Sequence, residues 1–465
     1  MQTVDLLLTG ALVVTMDPGR RIIEDGAVAV RGSRIADVGT TEELLEKYRA
    51  DRTLGLSGRI AMPGFVNLHN HGFNLYTRYM AIPMEGVDPS DFGDVLTRWY
   101  WPKVEDTNNH ELTYLGNLLC CSEMLLHGVT TTADMLEGAN VVPGGLRQVK
   151  KAFLEAGMRG VLSYEASERV SREHGQLGNS ENVEFVREHN GKDGLVTGRL
   201  AVHTAFSSSP AYLRQVRACA DELGCGIQLH IAQSPYEVEF IRKHHGVPGS
   251  VHLLEREGFL GPDVVAAHCI YVSDDEIDIL ARRDVKISFN VKSNERAGNG
   301  VSPVHKFLDR GMTVGLGLDG INIMDMHEMM THAAFLTRIH NVDRTLLPAK
   351  QALEMATING AVALGMKDMI GSLEAGKKAD IIVVDTRGKP SMHPMFDVWE
   401  AAAFAARGKD VEMVVVDGRV VVEGGKLLTV DVPAMLEEVY RTAEEWLKVI
   451  NATPVAPSWR LTTIH

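Results

Sequence analysis

Residues 4–39 alternate short apolar runs with turn chemistry. DLLLTGALVVTM is followed by EDGAVAVRGSRIADVG, where Asp25-Gly26 and Arg31-Gly32-Ser33 supply the turns. The same texture returns near the other end, as KKADIIVVD at 377–385 and VEMVVVDGRVVVEGG at 411–425. There Asp417-Gly418 between valine runs is a hairpin signal. The two ends are therefore expected to build one small β-sandwich together.

Between them the pattern changes. RIAMPGFVNLH, GVTTTADM, GVLSYEAS, RLAVHTAF, GIQLHIAQ, DVVAAHCI, DVKISFN and TVGLGLD alternate with segments of helical spacing. Near-continuous apolar runs separated by helices are the signature of a parallel sheet covered on both faces. Eight such runs from Ile60 to Asp319 predict an α/β fold with a (β/α)8 TIM barrel. The expected units are 1–60 and 376–430 for the two halves of the sandwich, 61–375 for the barrel, and 431–465 for a C-terminal helix and tail. Helical spacing over VPAMLEEVYRTAEEWLKVI at 432–450, with Pro433 near its start, supports that last helix.

Most of the eight runs end in a polar side chain able to do chemistry: His69 and His71, Asp134, Glu165, His203, His230, His268, Asn290 and Asp319. Barrel active sites lie at the carboxyl ends of the strands, so this placement marks one rim as functional. His69 and His71 are two apart, and on a strand such residues face the same side. Alone the pair is a weak signal. With His230 and Asp319 at other strand ends, three imidazoles and a carboxylate form a nitrogen-and-oxygen set with room for water, the open arrangement of catalytic metals. Zinc is the expected ion, and iron accepts the same set. His268, at the strand end after His230, is placed to orient the water, take its proton or stabilise developing charge. His203 is expected to face the substrate. Trp99 and Trp101 offer walls for a flat ligand, with core packing or a subunit contact as the competing reading. The methionines of DMHEMM at 325–330 read as fillers of irregular core gaps.

Composition narrows the partners. The 465-residue chain is 45% hydrophobic and 23% charged, enough apolar material for a large core. A formal net charge of -14 and no basic stripe argue against a nucleic-acid partner, whose affinity comes from cations neutralising phosphates. No run approaches the roughly 20 apolar residues that cross a bilayer, so no membrane partner is expected. Five cysteines form no regular framework and read as reduced thiols. With no charged leader and apolar segment at the start, the expected location is cytoplasmic.

PGFVNLHNH, LHGVTTTADM, HIAQ, AAHCIYVSDDEI, FNVKSN, VGLGLDG, ATINGAVALGM and GSLEAGKKADIIVVD, in that order from Leu6 to about Gly425, resemble the amidohydrolase superfamily. The likeness is to its cytosine-deaminase-like group of adenosine-derivative, guanine and triazine aminohydrolases. The run from SYEASERV to GLDGINIMDMHEMM is similar to SsnA-like aminohydrolases. The resemblance implies a mononuclear zinc or iron barrel with His69, His71, His230 and Asp319 as ligands, a small-molecule substrate and a homo-oligomer. One departure stands out: deaminases of this group place a glutamate three residues after the third histidine, and here the residue is Gln233. A carboxamide hydrogen-bonds but does not ionise. Asp319, helped by His268, is then expected to act as base, with Gln233 and His203 on the ring. Glu237 and Glu239, on a helix after Pro235, are expected at the surface. The leading expectation is hydrolytic deamination of an amino-substituted nitrogen heterocycle. The alternatives are displacement of chloride, alkylamine or alkylthio groups, opening of a cyclic amide, or a barrel that binds a heterocycle without turnover.

Overall fold

The computed structural model describes residues 1–76, 78, 84–320 and 323–452. Five strands open the chain: β1 (Gln2–Val14), β2 (Ile22–Arg31), β3 (Arg34–Thr40), β4 (Tyr48–Gly55) and β5 (Arg59–Pro63). Nine more alternate with helices: β6 (Phe65–Asn70), β7 (Val129–Leu136), β8 (Arg159–Tyr164), β9 (Val196–Gly198), β10 (Leu200–Thr204), β11 (Ile227–Ile231), β12 (Val264–His268), β13 (Lys286–Phe289) and β14 (Val314–Leu316). The last four are β15 (Ile381–Asp385), β16 (Val411–Val416), β17 (Arg419–Glu423) and β18 (Lys426–Leu427).

Strands from both chain ends do come together, as the valine-rich patterns predict. They form one hydrogen-bonded sheet of nine strands, ordered β18-β17-β16-β15-β5-β1-β2-β3, with β4 also on β1. The join is β5, which runs parallel to β1 through Leu12↔Ile60 and antiparallel to β15 through Ile60↔Val384. One face buries Leu8, Val28, Ile381, Val383 and Val415 in a common cluster. The other gathers Leu7, Ala29 and Leu44.

The middle of the chain is a TIM-barrel-like α/β unit. Every residue of β6, β7 and β8 is buried, as strands covered on both faces must be. The eight predicted runs are all present, but they divide into two parallel sheets, β6-β7-β8-β9 and β10-β11-β12-β13-β14. The division falls at Arg199, where the fourth run begins, and the buried guanidinium of this residue turns to the Asp263 carbonyl (2.9 Å). Consequently β9 pairs with β8 and β10 with β11. Contacts that span the seams include the bridge Ala166↔Val202 and the Asp319 N–H donating to the His69 carbonyl at 2.9 Å.

A buried ion-pair cluster fastens this unit to the nine-stranded sheet. Arg159 on β8 donates to Asp380 Oδ2 (2.8 Å) and to Asp417 Oδ1 (3.1 Å) in the β16–β17 turn. The C-terminal helix Val432–Val449 forms as expected and buries Trp446 against Phe73. Among the described residues no helix is long and apolar enough to cross a membrane. All five cysteines are free thiols. Met326, Met329 and Met330 are core residues, as their spacing predicts.

Candidate active site

The segment ending β6 carries His69-Asn70-His71, and its backbone is clamped from below. Asp134, at the end of β7, accepts from Asn70 Nδ2 (2.6 Å) and from the Gly72 N–H (3.0 Å). Asn67 Oδ1 accepts the Leu318 N–H (2.8 Å), which draws the end of β14 against β6. Gly317 permits that approach: a Cβ there would fall inside contact distance of Asn290 Oδ1 and Ser288 Oγ, and 2.9 Å from His69 Cβ.

These constraints bring together the residues that the sequence singles out at distant positions. His71 Nε2 lies 3.1 Å from His69 Nε2 and 3.2 Å from His230 Nε2, while Asp319 Oδ1 is 3.7 Å from His71 Nε2. His268 Nε2 faces the other oxygen, Asp319 Oδ2, at 3.7 Å. All five side chains are buried.

The hydrogen bonds on the far side of two rings determine what this cluster can hold. His71 Nδ1 donates to the Met135 carbonyl and His230 Nδ1 to the His203 carbonyl, each at 2.8 Å. In the neutral tautomers so fixed, both Nε2 atoms are lone pairs without a proton. Two lone pairs 3.2 Å apart repel unless a cation stands between them. The donor set therefore fits a divalent ion, and the carbonyls behind the rings supply the orienting partners that such ligands have.

Electrostatics sharpen the picture. Burial, and then the neighbouring imidazoles, hold His69 and His230 well below the ordinary histidine range. Burial also works against charge on His71, but Glu137, Asp319 and Asp134 together outweigh it and raise that group. Burial, aided by Arg169 and His71, depresses His203 to about 3.

Backbone strain marks the same place. His268 (φ 70°), Cys269 (φ 46°), Ala232 (φ 49°) and Asp319 (φ 60°) are non-glycine residues in the left-handed region. His268 is fixed by Nδ1 to Asn294 Oδ1 (2.9 Å), and Asn290 Nδ2 approaches its Nε2 at 3.5 Å.

The other sequence candidates separate. His203 adjoins the cluster: its carbonyl orients His230, and its ring packs 5.4 Å from that of His230. Gln233 is half-buried on the turn after β11, and its N–H donates to Glu237 Oε2 (3.2 Å). Glu239 is exposed as expected, but Glu237 is not a surface residue. It is buried, taking Ser250 Oγ on its second oxygen, because Ser234 caps the helix Pro235–His245 and turns the third residue of its first turn inward. Trp99 is partly buried, its ring 6.2 Å from Tyr100, whereas the Trp101 ring lies 5.7 Å from His203.

Sequence reasoning missed an acidic wall beside the cluster. Glu137, three residues past Asp134, accepts from Asn74 Nδ2 (2.7 Å) and Tyr100 OH (3.0 Å) and lies 3.5 Å from His71 Nδ1. Glu105 is buried against Arg169 (2.9 Å), and burial followed by the Glu137 charge pushes it up to about 8. Glu165 stands 3.6 Å from His203 Nε2. Its signal was present, since it ends a strand run, but Glu105 and Glu137 sit in segments without strand pattern.

The amidohydrolase family model matches residues 60–421, and residues 26–50 match a bacterial imidazolonepropionase-like composite domain. The chain is 36% identical over 453 residues to a 5'-deoxyadenosine deaminase of Methanosarcina acetivorans, covering 96% of this chain and 100% of the relative. It is 35% identical over 451 residues to a 5-methylthioadenosine/S-adenosylhomocysteine deaminase of Pelotomaculum thermopropionicum, covering 96% and 99%. Among solved structures it is similar to an adenosine deaminase from Xanthomonas campestris with bound zinc (TM-score 0.87, 25% identity, 97% and 99% of the two chains). At the level of fold it is also similar to the atrazine chlorohydrolase of Arthrobacter aurescens (TM-score 0.80, 24% identity, 95% and 100%). With a family model matching residues 60–421 and relatives 35–36% identical over nearly their whole length, this chain belongs to the amidohydrolase family.

Proposed function

We propose that this protein is a metal-dependent aminohydrolase that removes the amino group from a nitrogen heterocycle, with an adenosine-type nucleoside as its substrate class. The observation that carries the reading is the convergence of three imidazole Nε2 atoms, two of them 3.2 Å apart and both without a proton, beside Asp319. The substrate class is supported by the deaminase relatives, which act on 5'-deoxyadenosine and on 5-methylthioadenosine or S-adenosylhomocysteine.

In this reading His69, His71, His230 and Asp319 hold one divalent ion. Zinc is favoured because the adenosine deaminase that shares the fold binds it. When bound, such an ion lowers the pKa of a water molecule and supplies a nucleophile at neutral pH. The chain's own residues do the rest. Asp319, with one oxygen held by the Gly320 N–H (2.8 Å), keeps the other toward His268 and takes the proton of the attacking water there. His268, locked through Nδ1 by Asn294, presents a bare Nε2 toward Asp319; on receiving the proton that Asp319 took from the water, it donates to the oxygen that becomes the carbonyl and offsets its charge. His203 and Gln233 bind the ring, and Trp99 contributes to the entrance. A homo-oligomeric, cytoplasmic protein of two units, the barrel and the sheet built from both chain ends, completes the proposal.

The test is ammonia release from a panel of aminopurines, aminopterins and aminopyrimidines by zinc-loaded protein. Turnover of at least one adenosine-type nucleoside is expected, and silence across the panel would overturn the reading. A second reading is favoured by Gln233, an amide where an acid would assist departure of an amine: displacement of chloride, alkylamine or alkylthio groups from a triazine-like ring. Chloride or alkylamine release without ammonia release would select it.

A further inference from the structure

We infer that Glu165 is a specificity-determining residue that grips the edge of the substrate ring; this rests on the aminohydrolase reading above. Glu165 follows β8 directly, and its N–H donates to the Leu136 carbonyl (2.9 Å). The next residue, Ala166, bridges Val202, and the His203 N–H donates to the Ala166 carbonyl (3.0 Å). Glu165 and His203 are thereby fixed side by side across the seam between the two sheets, with Oε1 3.6 Å from Nε2. That spacing is too long for a hydrogen bond between them and leaves each free to bond a third group.

Among the described residues nothing occupies the carboxyl fully. Glu165 is 6% exposed, and among the described residues its Oε2 has no hydrogen-bond partner. Arg169, the nearby cation, donates to Glu105 (2.9 Å) and Asp106 (2.6 Å). His203 Nδ1 is engaged with Ser207 Oγ (3.0 Å), so its Nε2 is the atom turned to Glu165. The pair abuts the histidine cluster, for one oxygen or nitrogen each of His71, Glu137 and Glu165 lie within 4.8 Å of one another. A buried polar atom without a partner is rare and calls for a ligand or a functional reason.

A carboxyl and an imidazole set side by side match a ring edge on which a nitrogen adjoins the amine-bearing carbon, since such an edge offers two polar atoms at similar spacing. The Trp101 ring, 5.7 Å from His203 and with the Arg169 guanidinium 5.0 Å over its centroid, supplies a flat boundary.

Calorimetric binding of 5'-deoxyadenosine and of its 1-deaza analogue, in which C–H replaces the ring nitrogen beside the amine-bearing carbon, tests this on zinc-loaded protein. The unaltered protein is expected to bind the natural ring at least about tenfold more tightly than the analogue. In Glu165→Leu the two affinities should come within about twofold. Glu165→Leu is also expected to keep its zinc and its midpoint of unfolding, because the side chain removed has no protein partner on Oε2. A ratio near one in the unaltered protein, no binding of either compound, an unchanged ratio in Glu165→Leu, or a second zinc per chain lost on that substitution would each overturn the inference. Ammonia release from other heterocycles alongside such a result would leave the aminohydrolase reading standing. Silence on the whole panel would remove that reading instead.

Discussion

The imidazoles of His71 and His230 are aimed by bonds made behind each ring, to the Met135 and His203 carbonyls, so ligand and orienter are separate residues with separate consequences. In the proposed site His230→Ala removes a ligand nitrogen, and both bound zinc, by elemental analysis, and ammonia release are expected to fall to background. His268 lies beside the three-nitrogen cluster, where it faces Asp319 and is held by Asn294. His268→Gln should therefore keep its zinc while kcat drops about 10²–10³-fold, the cost of deleting one charge-stabilising donor. Loss of zinc in that variant would move His268 into the ligand set. Much of this was legible in the sequence, because strand periodicity puts His69 and His71 on one side and strand ends expose His230, His268 and Asp319 to one rim. Glu105 and Glu137 were not legible: the π-helical stretch Leu96–Glu105 and the turn after β7 have no period from which a facing direction follows.

At the scale of elements the decisive contact is between the ends of β6, β13 and β14. Gly317 lies where Ser288, Asn290 and His69 converge, and a methyl group there has no room. Gly317→Ala is expected to destabilise the fold by about 1–3 kcal/mol in urea unfolding, the usual cost of overpacking. It should also weaken zinc binding, since the segment that follows β14 carries Asp319. An alanine variant as stable as its parent and equally loaded would show that the close approach is not required. Glycine inside the VGLGLD pattern reads as a place of close backbone approach, but only coordinates identify the neighbours. The eight strand runs were visible as apolar stretches. Their division into two sheets was not, because the seam at Arg199 depends on where a buried guanidinium finds a carbonyl rather than on hydrophobicity.

For the whole molecule, several carboxyl groups buried near one another make stability depend on pH. Glu105 sits at about 8 against an ordinary 4.5, chiefly through burial and then the Glu137 charge, so the folded chain holds a proton that the unfolded chain releases. Its contribution is full below about 4.5 and is lost as pH rises through about 8. The metal-free protein should accordingly lose thermal stability between those limits, and Glu105→Gln should flatten the dependence. A profile unchanged by that substitution would place the titration elsewhere. The joining of both chain ends in one sheet was legible from matching valine patterns. The order of strands in that sheet was not, because pairing partners on either side of β5 are a tertiary property.

The account stands on a single cation shared by four side chains distant in sequence. Elemental analysis combined with X-ray absorption at the zinc edge, on protein purified without added chelator, measures this directly. One zinc per chain is expected, with a first shell of three imidazole nitrogens at about 2.0–2.1 Å and oxygen from Asp319 and water. Protein that binds no divalent ion after zinc is supplied, or a zinc shell without imidazole, would contradict the account.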